Sequence, residues 1–273
     1  MDLTMLTLNL QGLESGWFER RRGSLIPQLQ ALDPDVIALQ EVAIRKAPFY
    51  HQALDLWREL PMAALAYAPY GNPTEVHSPE QGGVALLARW PLRLVENRRL
   101  PPGRRPPDNR VALLASVLQG ARPLHLAVTH LSWPPEEGHE RARQLSTILT
   151  RAHDYGWLEP SERFVLAGDL NAPPDDPAVV DLGRSLQDAW SRLHPEEAGH
   201  TWSHANPLTK SYPMPSRRLD YLFVDPRAHV REARLCFTDP ARGVVSDHFG
   251  LLAAFHWDDR LNPEEAGNNT AIP

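Results

Sequence analysis

Apolar runs of strand length recur from one end of the chain to the other: Leu3–Leu10, Val36–Gln40, Gly83–Ala88, Val111–Leu118, Leu124–Leu131, Phe164–Ala167, Leu219–Val224 and Phe249–Phe255. Helical patterns separate several of them. In Ser24–Leu32, the residues Leu25, Leu29 and Leu32 fall at i, i+4 and i+7, on one helix face, and Asp33-Pro34 supplies a stop. Ala53–Leu60 and Glu140–His153 also read as helices, the second with Ala142, Leu145 and Leu149 on one side. The first half alternates helix with strand, whereas Val84–Leu131 is mostly strand and turn. This mixture points to an α/β (layered α+β) fold, sheets packed together with helices outside, rather than a simple doubly wound sheet.

No repeat or low-complexity linker divides the 273 residues, so residues 1–257 are expected to form one domain, and the polar, aperiodic residues 258–273 a mobile tail. A lone cysteine, Cys236, rules out an internal disulfide framework and a cysteine-based zinc site. The start Met1-Asp2-Leu3-Thr4 lacks a signal-peptide pattern, and no apolar stretch has the length of a membrane span. A cytoplasmic location is expected, with Asn268-Asn269-Thr270 a chance sequon. The formal charge of −6 disfavours indiscriminate duplex binding but not a local basic site. Pro/Gly-rich loops at Pro69–Gly82, Pro101–Asn109, Ser132–Gly138 and Ala198–Ser216 are the expected setters of substrate choice.

Polar residues fall at the ends of the apolar runs. Asn9 follows Met5-Leu6-Thr7-Leu8, Glu41 follows Val36–Gln40, and His130 shares by alternation the face of Leu124, Leu126 and Val128. Asp169 and Asn171 follow Phe164–Gly168. Two later segments reverse the order: Asp220 lies near the start of Leu219–Val224, and Asp247-His248 directly precede Phe249–Phe255. If these two strands run antiparallel to the earlier ones, six segments converge on one site. Burying so many polar groups without partners is very costly, and a metal with a charged substrate would supply the partners. Taken singly, each residue has a plainer reading. Asp169 suits an Asx turn, Asp220 a pair with Arg217 or Arg218, and His130 a satisfied core histidine.

As an ordered set, Thr7-Leu8-Asn9, Leu39-Gln40-Glu41, Thr129-His130-Leu131, Gly168-Asp169-Leu170-Asn171, Arg218-Leu219-Asp220-Tyr221 and Ser246-Asp247-His248 resemble the endonuclease/exonuclease/phosphatase superfamily. That superfamily includes type I deoxyribonucleases, abasic-site endonucleases, neutral sphingomyelinases and inositol-polyphosphate phosphatases. The resemblance spans Asn9 to His248 and implies a deoxyribonuclease I-like fold: two mixed β-sheets packed as a sandwich with helices on the outer faces. Thr129-His130-Leu131 looks like the deoxyribonuclease and sphingomyelinase branch. Gln11 stands where repair enzymes often carry a metal-associated Asp, and Asp169-Leu170-Asn171 departs from their Asp-Met-Asn pattern.

The implied chemistry is in-line attack of water on phosphorus. Mg²⁺, with Mn²⁺ as a substitute, is expected at Glu41, with Asn9 beside it and Asp247 in its surroundings. His248, held by Asp220, is the favoured general base and Asp169 its rival. Asp169 with Asn171 would orient the water, and His130, if protonated, would stabilise phosphoryl oxygens. Trp202 and Arg218 are the candidate substrate contacts, with Trp133 and the Arg104-Arg105…Arg110 loop as further ones. The expected substrate is a small-molecule or lipid-headgroup phosphoester. The alternatives are a Mg-dependent nuclease, since nucleic acid is a possible substrate, and a catalytically inactive binding module. No obligate protein partner is implied.

Overall fold

The computed structural model describes residues 2–71, 80–104, 109–120 and 122–258. The expected tail beyond Asp258, Arg105, and parts of the Pro69–Gly82 and Pro101–Asn109 loops lie outside the described residues. The strands are β1 (Asp2–Asn9), β2 (Val36–Gln40), β3 (Ile44–Lys46), β4 (Phe49–His51), β5 (Ala64–Pro69), β6 (Glu80–Gln81), β7 (Gly83–Ala88) and β8 (Leu92–Arg99). They continue with β9 (Val111–Val117), β10 (Leu124–His130), β11 (Arg163–Asp169), β12 (Gln187–Asp188), β13 (Asp220–Val224), β14 (His229–Cys236) and β15 (Gly250–His256). Among the described residues, five α-helices, α1 (Arg22–Leu32), α2 (Gln52–Glu59), α3 (Gly138–Asp154), α4 (Pro177–Leu182) and α5 (Ala189–Leu193), lie between them.

Two six-stranded sheets result, ordered β14-β15-β1-β2-β7-β5 and β12-β13-β11-β10-β9-β8, with β3, β4 and β6 forming a small third sheet. Both large sheets are mixed. β1 runs parallel to β2 and β10 parallel to β11, while β15 is antiparallel to β1 and β13 antiparallel to β11. The ends of β1, β2, β10 and β11 and the beginnings of β13 and β15 therefore share one rim.

The central strands are buried on both faces, which is why their sequences read as continuous apolar runs instead of alternating ones. Met5, Val36, Leu86, Leu113, Leu126, Val165, Leu222 and Phe255 belong to the core between the sheets. The opposite face of the first sheet, with Leu6, Leu8, Ile37 and Leu39, packs on Leu25 and Leu29 of α1 and Leu56 of α2. The opposite face of the second, with Leu114, Ala127 and Leu166, packs on Leu145 and Ile148 of α3. At ~25 cal/mol per Å² of apolar surface removed from water, these three clusters are the main stabilising force.

Candidate active site

Alternation places the polar strand ends on the inner face. Met5, Thr7 and Asn9 point one way along β1, as do Leu126, Val128 and His130 on β10, Val165, Ala167 and Asp169 on β11, and Asp220 and Leu222 on β13. Each polar group thus occupies the inner-facing position nearest the shared rim, last in β1, β10 and β11 and first in β13. Strand register then aligns three of them, since His130 pairs with Asp169 and Asp169 with Asp220 across β10, β11 and β13. The approach of β11 to β10 that sets this row needs Gly168. Its φ is +148°, and a Cβ there would fall 1.9 Å from the Thr129 carbonyl oxygen.

Two carboxylates side by side in a cross-strand pair repel. The repulsion between Asp169 and Asp220 is met by groups from the other sheet. Asn9 Nδ2 donates to Asp169 Oδ2 at 3.0 Å and to Glu41 Oε1 at 3.1 Å. His248 Nδ1 lies 2.7 Å from Asp220 Oδ2, so the imidazole donates that N–H to the carboxylate. Its Nε2 is 3.8 Å from Asp169 Oδ2, and His130 Nε2 is 3.6 Å from the same oxygen. Asp169 Oδ1 accepts the Asn171 backbone N–H at 2.8 Å. The Asx turn and the site therefore coexist, one on each carboxylate oxygen. Asn171 also donates through Nδ2 to the Leu131 carbonyl.

Charge follows geometry. Burial, then the neighbouring Asp220, push the Asp169 carboxyl up from its ordinary value. Burial and Asp247 likewise raise Glu41. For His248, burial alone would lower the imidazole, but Asp220, Asp169 and Asp247 outweigh it and hold it well above the usual histidine range. His130 moves the other way, because burial is joined by the positive charges of Arg110 and His248. The condition attached to His130 in the sequence, that it be protonated, is disfavoured by this surrounding, which holds the imidazole well below the usual histidine range. Its Nδ1 lies 2.8 Å from the Tyr70 hydroxyl. The Tyr70 oxygen accepts the Glu41 backbone N–H, and its own proton can go to a neutral His130 at Nδ1, the tautomer that carries the ring N–H on Nε2, facing Asp169.

Glu41 and Asn171 have φ of 50°, and Gln11 has 54°. Non-glycine residues in this region are strained, and three of them here sit where the chain leaves β1, β2 and β11 at the rim. Asp247 is half-buried, beside Ser246, whose hydroxyl donates to the Asn9 carbonyl at 2.6 Å and accepts the His248 backbone N–H. Beneath Asp247 lies Arg21, buried, with its guanidinium donating to the carbonyls of Leu10, Gln11, Gly12, Glu14 and Val245. It staples the loop after β1 to the loop before β15 and places a positive charge behind Asp247 and Glu41.

The site opens into a cleft of about 610 Å³ whose lining includes Glu41, Tyr70, Arg110, His130, Trp133, Asp169, Asn171 and His248. Trp133 is 53% exposed at its edge. The loop that carries it is held by Arg141, which donates to the Ser132, Pro134 and Pro135 carbonyls. Arg110 lies 5.7 Å from the Tyr70 ring centroid. Neither Trp202 nor Arg218 lines this cleft. Arg218 is buried, donates to Asp188 and Ser191, and lies over the Tyr221 ring, which places its guanidinium away from the cleft. Nor does Arg218 pair with Asp220. Trp202 is 7% exposed and packs edge-on against His204 and Tyr212. Its backbone exchanges hydrogen bonds with Arg217, and the preceding Thr201 hydroxyl accepts from the N–H groups of Leu219 and Asp220. This segment clasps Asp220 in place beside His248. Tyr70, Arg21 and Thr201 carried no sequence signal, because their partners are distant in the chain: His130 and the Glu41 N–H for Tyr70, backbone atoms for Arg21 and Thr201.

Among the described residues, Asp169, Asp220 and His248 offer potential ligand atoms within 4.8 Å of one another. The 2.7 Å contact between Asp220 and His248 uses Oδ2 of one and Nδ1 of the other, which leaves Asp220 Oδ1 and His248 Nε2 as the atoms this pair could offer. The Glu41 edge is the better fit for a hard cation. It offers oxygen donors, and Asp247 stands close enough to Glu41 to add to the rise that burial produces there.

Residues 6–248 match the model of the Endonuclease/Exonuclease/phosphatase family. The chain is 27% identical over 205 residues to tyrosyl-DNA phosphodiesterase 2 of Xenopus laevis, covering 73% of this chain and 49% of that protein. It thus spans about half the length of the curated relatives it first matches. The human Nocturnin catalytic domain with a bound sulfate anion shares the fold at TM-score 0.72 and 22% identity, over 94% of this chain and 95% of that one. So does TDP2 of D. rerio complexed with a single-strand DNA product, at TM-score 0.71 and 22% identity, over 93% and 99%. No helix among the described residues is long and apolar enough to cross a membrane. Matched along nearly its whole length, with two mixed sheets and a polar rim between them, this chain belongs to the endonuclease/exonuclease/phosphatase family, whose members hydrolyse phosphoric esters.

Proposed function

We propose that the chain is a metal-dependent phosphodiesterase acting on a phosphodiester of nucleic acid, including one that joins a strand to an adduct. The relatives favour this over the small-molecule or lipid-headgroup ester expected from composition. One is named a tyrosyl-DNA phosphodiesterase, and a structural neighbour is complexed with a single-strand DNA product. An exposed Trp133 and Arg110 on the cleft wall suit a strand with stacked bases and charged phosphates.

The observation that carries the mechanism is the proton balance around Asp169 Oδ2. If His248 were neutral with its N–H toward Asp220, an Nε2 lone pair would face a carboxylate oxygen at 3.8 Å. A proton on Nε2 removes that repulsion. This reverses the order of preference reached from sequence. His248 acts as an imidazolium, donating from Nε2 to a phosphoryl oxygen, and Asp169 accepts the proton of the attacking water. Asp220 holds the His248 ring and its charge. Neutral His130 donates from Nε2, and Asn171 holds Asp169 and the turn that contacts phosphate. Glu41, Asn9 and Asp247 would hold Mg²⁺ or Mn²⁺, which when bound neutralises charge on the phosphoryl oxygens.

The test is a substrate panel with Mg²⁺, Mn²⁺ or EDTA: a 5′-tyrosyl oligonucleotide, the plain strand, sphingomyelin and bis(p-nitrophenyl) phosphate. Metal-dependent turnover is expected to be fastest on the oligonucleotides. Asp169→Asn and His248→Ala should each lower kcat by ~10²–10⁴ while remaining folded. Preference for sphingomyelin would refute the substrate class. Wild-type kcat in folded Asp169→Asn would refute the base.

A further inference from the structure

A second polar link joins the two sheets at the rim, through a residue that the mechanism above does not use. Tyr70 directly follows β5, the outermost strand in the order β2-β7-β5. Its hydroxyl accepts the backbone N–H of Glu41, just past β2, at 3.3 Å. The same oxygen lies 2.8 Å from Nδ1 of His130, which ends β10 in the other sheet. Side chain and hydrogen bond together span two strand spacings, roughly 10 Å at ~4.8 Å each, and so cross the segment that opens β7. Gly82 makes that crossing possible. A Cβ there would fall 2.9 Å from Cδ2 of the ring and 3.0 Å from Cε2. The Gly82 carbonyl also accepts the Tyr70 backbone N–H at 2.8 Å, which fixes where the side chain starts.

Proton placement at the hydroxyl has one satisfactory solution. Among the described residues its partners are the Glu41 N–H, which can only donate, and His130 Nδ1. A proton on Nδ1 would leave the hydroxyl hydrogen without an acceptor, at the cost of an unmade hydrogen bond. In the neutral ring it would also turn a bare Nε2 toward Asp169 Oδ2, 3.6 Å away. A proton on Nε2 satisfies all three groups at once. The chain from Glu41 N–H through Tyr70 O–H to His130 then runs in one direction, and each bond polarises the next. Glu41 is held at a φ of 50°, a conformation that its surroundings must maintain, and the Tyr70 oxygen grips its N–H.

We propose that Tyr70 is a positioning residue, whose hydroxyl binds the Glu41 turn and the His130 ring into one unit and aims the His130 Nε2–H at the phosphoryl oxygens. The contact of His130 with phosphate rests on the function proposed above; the hydrogen-bonded unit does not.

The test has one arm without substrate and one with it. In EDTA, the imidazole ¹⁵N resonances of His130 are compared between wild type and Tyr70→Phe. Wild type should carry the proton on Nε2 and accept a hydrogen bond at Nδ1. Tyr70→Phe should move the Nδ1 resonance toward that of a bare nitrogen, and Gly82→Ala, which crowds the ring but leaves every polar group in place, should move it the same way. A proton on Nδ1 in wild type, or the same His130 resonances in wild type and Tyr70→Phe, would overturn the proposal. The second arm is hydrolysis of bis(p-nitrophenyl) phosphate at saturating Mg²⁺. Tyr70→Phe should lower kcat by about 10–100-fold, the usual loss when a group that orients a ligand or its neighbour is removed. Because Tyr70 acts through His130, kcat of Tyr70→Phe/His130→Ala should equal that of His130→Ala alone. Losses that multiply would show that the two side chains act independently and would overturn the positioning role. A preference for sphingomyelin in the substrate panel, with these results intact, would strike the nucleic-acid reading alone. Absence of all hydrolysis would strike the proposed function and leave the ¹⁵N arm to decide the hydrogen-bonded unit.

Discussion

Arg21→Lys isolates the staple beneath the metal edge. The guanidinium makes six hydrogen bonds, all to backbone carbonyls: two through Nη1, to Leu10 and Val245, three through Nη2, to Gln11, Gly12 and Glu14, and one through Nε, to Glu14. Lysine keeps the charge but has three donors on one nitrogen, so at least half of these contacts are lost. At ~1–1.5 kcal/mol each, the cost is about 3–5 kcal/mol, a large part of the ~5–15 kcal/mol that holds a domain folded. Urea unfolding followed by tryptophan fluorescence should show the midpoint falling by about 1 M or more. Because Asp247 sits two residues after Val245, the Mg²⁺ concentration for half-maximal activity should also rise, with kcat at saturating metal less affected. An Arg21→Lys variant within 0.5 kcal/mol of wild type would show that the staple contributes little and refute the reasoning.

Asp169 and His248 together should give a bell-shaped dependence of kcat/KM on pH. The Asp169 carboxyl, pushed up to about 7 without metal, must lose its proton to act, so activity falls as pH drops through that value. His248 must keep its proton, so activity falls again as pH rises through its own raised value. The two apparent values belong to the coupled site and not to single residues. Asp220→Asn removes the charge that favours the imidazolium and should move the alkaline limb to lower pH; an unmoved limb would count against the pairing. Mg²⁺ should raise the Tm of wild type by relieving repulsion at Glu41, and Glu41→Gln should abolish the increase. Equal stabilisation of both proteins would move the cation elsewhere.

The central strands were legible because burial on both faces demands long apolar runs. The edge strands were not. β8, Leu-Arg-Leu-Val-Glu-Asn-Arg-Arg, and β14, His-Val-Arg-Glu-Ala-Arg-Leu-Cys, are largely exposed and each carries a register shift, so neither shows a clean period. Asn9, Glu41, His130, Asp169, Asp220 and His248 could be picked out as polar groups ending or starting apolar runs, and the fold gathers them at one rim. Arg21 could not, since nothing in Arg20-Arg21-Arg22 distinguishes the buried middle residue from its neighbours. Arg218 misled for the converse reason. It stands two residues from Asp220 in the chain, yet its guanidinium turns to Asp188 beside α5. Local sequence records which side chains can do chemistry. It does not record which distant carbonyls will claim them.

The bond from Asn9 on one sheet to Asp169 on the other has a bearing on biogenesis. Neither layer owns a complete set of reactive groups, so a half-assembled chain has the parts of a hydrolase without the ability to cut. On the mechanism proposed above, turnover would begin only once the two layers have docked.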